Sequence, residues 1–239
     1  CRNANASRPN ASSTSAWADV MELAVSEPPT VSNGSITGVS ALPAVTAPLC
    51  GFLVIDKPAG CTSHDCVSRA RRALGTRKVG HGGTLDPAVT GVLPLAVGPA
   101  TRLLPYLEGE KDYIGTIQLG LRTSSDDLSG EVLEQQPWPS LSQAELDGQL
   151  QHFRGLIQQR PPAVSAVHVD GERAHTRARR GEQLLLASRP VTIEQLELLR
   201  WDPSTGQLEI KLRCSAGTYV RSLARDLGDQ LGCGGALAK

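Results

Sequence analysis

Apolar positions fall into two textures along the chain. Through residue 48 no hydrophobic period recurs: the stretch is Ala, Ser, Thr, Asn and Pro, with Arg2, Arg8, Asp19, Glu22 and Glu27 as its charges. Such a segment has too little recurring apolar surface to bury, so 1–48 reads as a disordered tail. From Leu49 onward the pattern becomes that of a folded domain, 49–239. GFLVI at 51–55 is a short apolar strand, and 92–97 is a second apolar run. Residues 113–119 (YIGTIQL) alternate, as do Leu208, Ile210, Leu212 and Cys214, which predicts half-buried strands. Behind Thr62-Ser63-His64-Asp65, a capping box, Val67, Ala70 and Leu74 recur at i, i+3 and i+7. That spacing predicts an amphipathic helix with Arg69, Arg71 and Arg72 on its other face. Leu146, Leu150 and Phe153 predict a helix near 142–153. Val220, Leu223, Leu227 and Leu231 predict a last one, opened by Gly217-Thr218. Strands and helices mix without a strict βαβ rhythm, so the class is α+β.

Composition narrows the function classes. The 239 residues are 40% hydrophobic and 20% charged, with 24 basic against 24 acidic side chains. That excludes a wholly disordered chain, a collagen-like chain and a uniformly basic nucleic-acid coat. The longest apolar candidate, 42–55, is broken by Pro43, Pro48 and Gly51, so no transmembrane helix and no membrane partner is expected. The six cysteines include no CxxC pair and read as reduced packing residues of a cytoplasmic protein. A Ser/Ala-rich start also suits an organellar transit peptide, although its acids and few arginines weigh against one. Cys61 and Cys66 flank His64, as a metal clip or as a helix start with a half-buried thiol. Structural zinc spacing is absent and no metal is expected. The chain starts at Cys1 and ends at Lys239 after a Gly-rich turn, so it reads as a fragment.

The net charge of zero hides segregation. Arg69, Arg71, Arg72, Arg77 and Lys78 cluster against Asp65, and six arginines between 154 and 180 face Asp170 and Glu172. Residues 123–151 carry six acids and no Lys or Arg. Such blocks fit either a basic face for a phosphate-rich partner or ordinary solvated helix faces.

Three segments hold candidate chemistry. KVGHGGTLDPAVTG (78–91) is neither a Walker loop nor GxGxxG. Its Gly80, Gly82 and Gly83 permit unusual φ and close approach to a ligand. Asp86 before Pro87 is biased to extended backbone, which suits a turn-capping role first and a nucleophile second. His81 fits a buried hydrogen-bonded role or a substrate contact equally. In SAGTYVR (215–221), Arg221 falls in the first turn of a helix, against the dipole, and such local conflicts concentrate at functional sites. In Lys111-Asp112-Tyr113, the tyrosine is one of only eight aromatics, so it is a candidate for base stacking.

Together these segments resemble the bacterial tRNA pseudouridine(55) synthase family, also called TruB. The blocks that carry the likeness are GFLVIDKPAGCTSHD (51–65), KVGHGGTLDPAVTGVLPLAVGPATRLLPYL (78–107), KDYIGTIQLGLRTSSDDLSGE (111–131) and CSAGTYVRSLARDLGDQLGCGG (214–235). PPAVSAVHVDGERAHTRARRGE (161–182) is weaker: Val164, His168 and His175 stand where the family usually has an aromatic, a Lys and a Tyr. The resemblance implies the pseudouridine synthase fold, a mixed, mostly antiparallel sheet with flanking helices and a central RNA-binding cleft. It implies isomerisation of a T-loop uridine in tRNA to pseudouridine, with the base flipped out of its stack. It implies no cofactor, a tRNA T-arm partner and a monomer. Asp86 corresponds to the catalytic aspartate, Arg221 to the arginine that pairs with it, and Tyr113 to the tyrosine packed on the uracil. His81 and Tyr219 match substrate-contacting positions, and Lys57 with Pro58 matches the motif supporting the same cleft. The arginines of 173–180 and of the helix after Asp65 would face RNA phosphates. A non-catalytic tRNA-binding or folding module is the alternative. An aspartate-dependent hydrolase lacks a matched second carboxylate or metal constellation.

Overall fold

The computed structural model describes residues 49–239 except 108, 166, 170, 181, 183 and 185, and of residues 169, 173, 175, 178 and 179 only the backbone. The expected tail, 1–48, lies outside the described residues.

The first layer comprises β1 (Gly51–Lys57), α1 (Ser63–Ala73), β2 (Val79–His81) and β3 (Gly91–Val97). The strands form an antiparallel sheet in the order β1-β3-β2. Ile55, Leu93, Leu95 and Val79 are buried with Cys66, Val67 and Ala70 of α1, whereas Phe52, Val54 and Val92 are exposed. The capping box expected from sequence is present: Thr62 caps Asp65 N–H and the Asp65 carboxylate returns to Thr62. Cys61 and Cys66 take the N′ and N4 positions, where their sulfurs lie 3.8 Å apart as a staple of two thiols. Burial and the neighbouring Cys61 push the Cys66 thiol up to about 11.

The glycines of KVGHGG serve a purpose different from the expected one. Gly80 and Gly82 have no positive φ. A Cβ on Gly80 would lie 2.8 Å from Leu104, and one on Gly82 2.8 Å from Leu107. Both leucines belong to or follow the 3₁₀ segment Gly98–Tyr106, so these two glycines make room for its packing. A Cβ on Gly83 meets nothing.

The second layer adds β4 (Lys111–Leu119), β5 (Leu121–Thr123), β6 (Val132–Gln135), α2 (Gln143–Leu150), β7 (Gly155–Gln159), β8 (His168–Val169), β9 (Glu172–Arg173) and α3 (Ala174–Arg179). It is completed by β10 (Arg189–Asp202), β11 (Gln207–Cys214), α4 (Val220–Gln230) and β12 (Gly235–Leu237). Five strands form a sheet in the order β12-β4-β11-β10-β7, every neighbouring pair antiparallel. A parallel bridge joins Asp127 to Leu237. Leu208, Ile210, Leu212 and Cys214 are fully buried against Leu223, Ala224 and Leu227 of α4, as their alternation predicts. The long strand β10 escapes the period-2 pattern because bulges between Ile193/Gln195 and Leu198/Arg200 shift its phase. Among the described residues no helix is long and apolar enough to cross a membrane.

The last helix begins two residues later than Gly217-Thr218 suggests. Gly217, at φ +83°, makes the turn, and Tyr219 is the N-cap without a side-chain cap bond. The helix lies against the following strand backbone to backbone: a Cβ on Gly228 would collide with Gly234 and Gly235 main-chain atoms. Gly228→Ala is therefore expected to destabilise by about 3 kcal/mol, the upper end for overpacking, because backbone cannot yield as a side chain does. Urea unfolding measures it.

Candidate active site

Asp86 stands on a turn that two side chains and one amide fasten to the first layer. Ser63 Oγ accepts from Leu85 N–H at 3.0 Å and lies 3.3 Å from Leu85 O. Pro87 O accepts from Gly60 N–H at 2.8 Å and from Lys57 Nζ at 3.4 Å. Val89 N–H closes the turn onto Asp86 O. Lys57 is 0% exposed, and its ammonium also donates to Pro58 O and Cys61 O. Its three donors are thereby engaged by main-chain carbonyls. Lys57, expected with Pro58 to support the cleft, lies beneath the turn and ties it to the exit of β1.

The Asp86 carboxylate meets Arg221 side-on. Arg221 Nε lies 2.9 Å from Asp86 Oδ2, and Nη2 donates to Oδ1 at 3.3 Å. The arginine is almost fully buried, whereas the Asp86 side chain is 39% exposed. Arg221 Nη1 donates to Ser125 O at 3.0 Å and Val164 O at 3.1 Å. A cation in the first turn of α4 opposes the helix dipole, and these partners supply the offset. Residues 135 positions apart in sequence thus form one part-buried pair.

Asp127, not singled out from sequence, is the second acid here. Its Oδ2 lies 3.7 Å from Arg221 Nε, while its Oδ1 accepts from Ser125 Oγ and Ser129 N–H. One turn further along α4, buried Arg225 pairs with Asp126 at 2.7 Å and with Asp226, and donates to Arg160 O. Asp126 sits at φ +61°, a left-handed conformation that aspartate tolerates. The run Ser124-Ser125-Asp126-Asp127 within an acid-rich block was the available signal, but only the fold brings it to two arginines spaced i, i+4.

Burial raises Asp126 and Asp226 above the ordinary carboxylate range, with Arg225 pulling the other way. Folded values above the unfolded ones mean that the folded chain binds these protons first as pH falls. Both carboxylates cost stability at neutral pH, and the cost is relieved as pH drops through their folded values. The native chain is expected to gain stability relative to Asp126→Asn as pH falls from neutral toward the ordinary carboxylate range, read by urea unfolding at each pH.

Tyr113 lies at the end of the buried face of β4, after Leu119, Ile117 and Gly115, and is half-buried. Burial raises its phenol, as do the charges of the neighbouring Cys214 and of Asp86. Tyr219 is half-buried with Arg189 over its ring, 5.0 Å from the centroid. His81 ends β2, pairs through its backbone with Leu95, and has a buried Nδ1 without a hydrogen-bond partner. Its ring is not joined to the Asp86–Arg221 pair by any hydrogen bond among those described.

The basic side chains divide into exposed and internally paired ones. Arg71 turns back to donate to Val79 O, whereas Arg69, Arg72, Arg77 and Lys78 are exposed. Arg180 holds Glu172 through two bonds and also Glu182, Arg177 pairs with Glu182, and Arg154 pairs with Asp147. Those three arginines are internally engaged, because acids within a few residues or across a turn meet them first.

Solved structures define the class. The chain matches a structure described as a Cbf5-Nop10-Gar1 complex with a TM-score of 0.59 and 30% identity, over 79% of this chain and 46% of that one. It matches another described as an H/ACA RNP bound to a substrate RNA containing 2'-deoxyuridine, with a TM-score of 0.56 and 27% identity, over 79% and 45%. The α+β architecture is the pseudouridine synthase fold. The model of the TruB family pseudouridylate synthase N-terminal domain matches residues 71–220. The tRNA pseudouridine synthase B of Parasynechococcus marenigrum (strain WH8102) is 72% identical over 189 residues, 79% of this chain and 65% of the relative. That of Prochlorococcus marinus (strain MIT 9313) is 64% identical over 187 residues, 78% of this chain and 58% of the relative. The chain belongs to the TruB family, and it spans less than two thirds of the length of these relatives.

Proposed function

We propose that this chain carries the catalytic site of a tRNA pseudouridine synthase acting on a uridine of the T-loop. The observation that carries the reading is the side-on Asp86–Arg221 pair, a partly exposed carboxylate held by a buried guanidinium. A uridine stacked in a loop is flipped out to reach it. In the isomerisation the C1′–N1 bond breaks, C1′ bonds to C5, the C5 proton leaves and N1 gains a proton, so composition is unchanged. Asp86 acts as nucleophile or base, and the two-point contact with Arg221 holds its carboxylate in place. Tyr113 packs against the uracil near the site of C5 proton loss, and Tyr219 and His81 contact the nucleoside. No step in this account calls on a cofactor. The exposed Arg69, Arg72, Arg77 and Lys78 take RNA phosphates, a role that needs shape and charge more than base readout.

The test is incubation of the chain with a T-arm stem-loop, digestion to nucleosides and chromatography for pseudouridine. The reading expects one pseudouridine per stem-loop and none when the target uridine is replaced by cytidine. Tight binding without pseudouridine would favour a non-catalytic RNA-folding module instead.

A further inference from the structure

We propose that Gln159 is a positioning residue for Tyr219 and, through the first turn of α4, for Arg221; this rests on the reading of both as uridine-site residues. Gln159 is the last residue of β7, the edge strand of the five-stranded sheet. Its neighbour Gln158 is exposed, but Gln159 is 1% exposed. A buried amide is costly unless both ends are bonded. Here both ends take the same residue: Nε2 donates to Tyr219 O at 3.1 Å, and Oε1 accepts from Tyr219 N–H at 2.8 Å. The side chain thus behaves toward Tyr219 as a strand backbone would.

The same register position supplies a second grip. Arg189 lies directly opposite Gln159 on β10. Its guanidinium covers the Tyr219 ring and donates to Gly217 O at 2.7 Å. Gln159 fixes the backbone of the N-cap residue, and Arg189 fixes its ring and the preceding turn. The N-cap otherwise lacks a side-chain cap bond. One residue on, Arg160 O accepts from Ser222 Oγ and Arg225 Nη2 at 2.8 Å each. The exit of β7 therefore holds α4 at residues 219, 222 and 225, on either side of Arg221. A shift of about 1 Å in such a turn costs on the order of 100-fold in rate.

The amide chemistry gives a test that a purely structural role would not pass. A glutamate at 159 accepts from Tyr219 N–H but, when ionised, faces Tyr219 O with a second acceptor. Protonated, it donates there and restores both bonds. The charged groups on the elements packed there are Arg189 on β10, Arg160 directly after β7, and Arg221 and Arg225 on α4. The full chain, Gln159→Ala and Gln159→Glu are assayed for tritium release from a T-arm stem-loop labelled at C5. All are assayed where far-UV circular dichroism shows each fully folded. Gln159→Ala is expected to lose about 100-fold in kcat/KM at every pH. Gln159→Glu is expected to match that loss at pH 8 and recover at least about tenfold relative to Gln159→Ala at pH 6. Native-like activity in Gln159→Ala, or a Gln159→Glu profile parallel to that of Gln159→Ala, overturns the inference. Absence of release by the native chain overturns the site reading itself, and the inference with it.

Discussion

Asp86→Asn is expected to lower turnover by at least about 10⁴-fold while leaving the fold and RNA binding nearly intact. The amide has the shape of the carboxylate but carries no charge and cannot accept from both Arg221 Nε and Nη2 with the same strength. Arg221 still keeps Ser125 O, Val164 O and Asp127. The buried cation is therefore not stranded, and the stability loss should stay near about 1 kcal/mol. Single-turnover kinetics beside filter binding and urea unfolding separate these quantities. Turnover within tenfold of native would remove Asp86 from the chemistry.

Arg221→Ala should behave differently, because its partners have no substitute. The guanidinium is almost fully buried and satisfies Asp86 and two main-chain carbonyls. Removing it leaves these acceptors without their donor and leaves Asp86 and Asp127 near each other without that cation. Loss of one partner of a buried pair costs about 3–5 kcal/mol, comparable to a large share of a domain's total stability. Turnover should also fall about 10²–10³-fold, the range for losing one preorganised charge partner. Arg221→Lys keeps the charge but not the two-point fork, so it should lie between native and alanine in both quantities. Urea unfolding and chromatography of pseudouridine measure the two effects, and a stability loss below about 1 kcal/mol would contradict the pairing.

Much of the fold follows from local patterns. The capping box at Thr62–Asp65 and the alternation of Leu208 to Cys214 each have one physical reading, and the structure agrees. Where a pattern carries a phase shift, as at the two bulges of β10, alternation no longer marks the strand. The glycines of 80–82 show a different limit: a glycine can be required by what packs over it, and Leu104 and Leu107 are far enough away in sequence to leave no local sign. The site divides in the same way. Asp86, Arg221 and Tyr113 drew attention through turn chemistry, a dipole conflict and scarce aromatics, and Tyr219 through the family resemblance. Asp127, Arg225 and Gln159 look like ordinary polar residues until the strands bring them to α4. Lys57 reads as part of a motif supporting the cleft, and its ammonium is held among carbonyls beneath the turn.

The central claim is that Asp86 drives exchange of the glycosidic bond from N1 to C5. The most direct measurement is tritium release from a T-arm stem-loop labelled at C5 of its uridine, with native chain and Asp86→Asn side by side. The account predicts release by the native chain in step with pseudouridine formed, and none above background by Asp86→Asn. Equal release by both, or pseudouridine formed without loss of the C5 label, would contradict it.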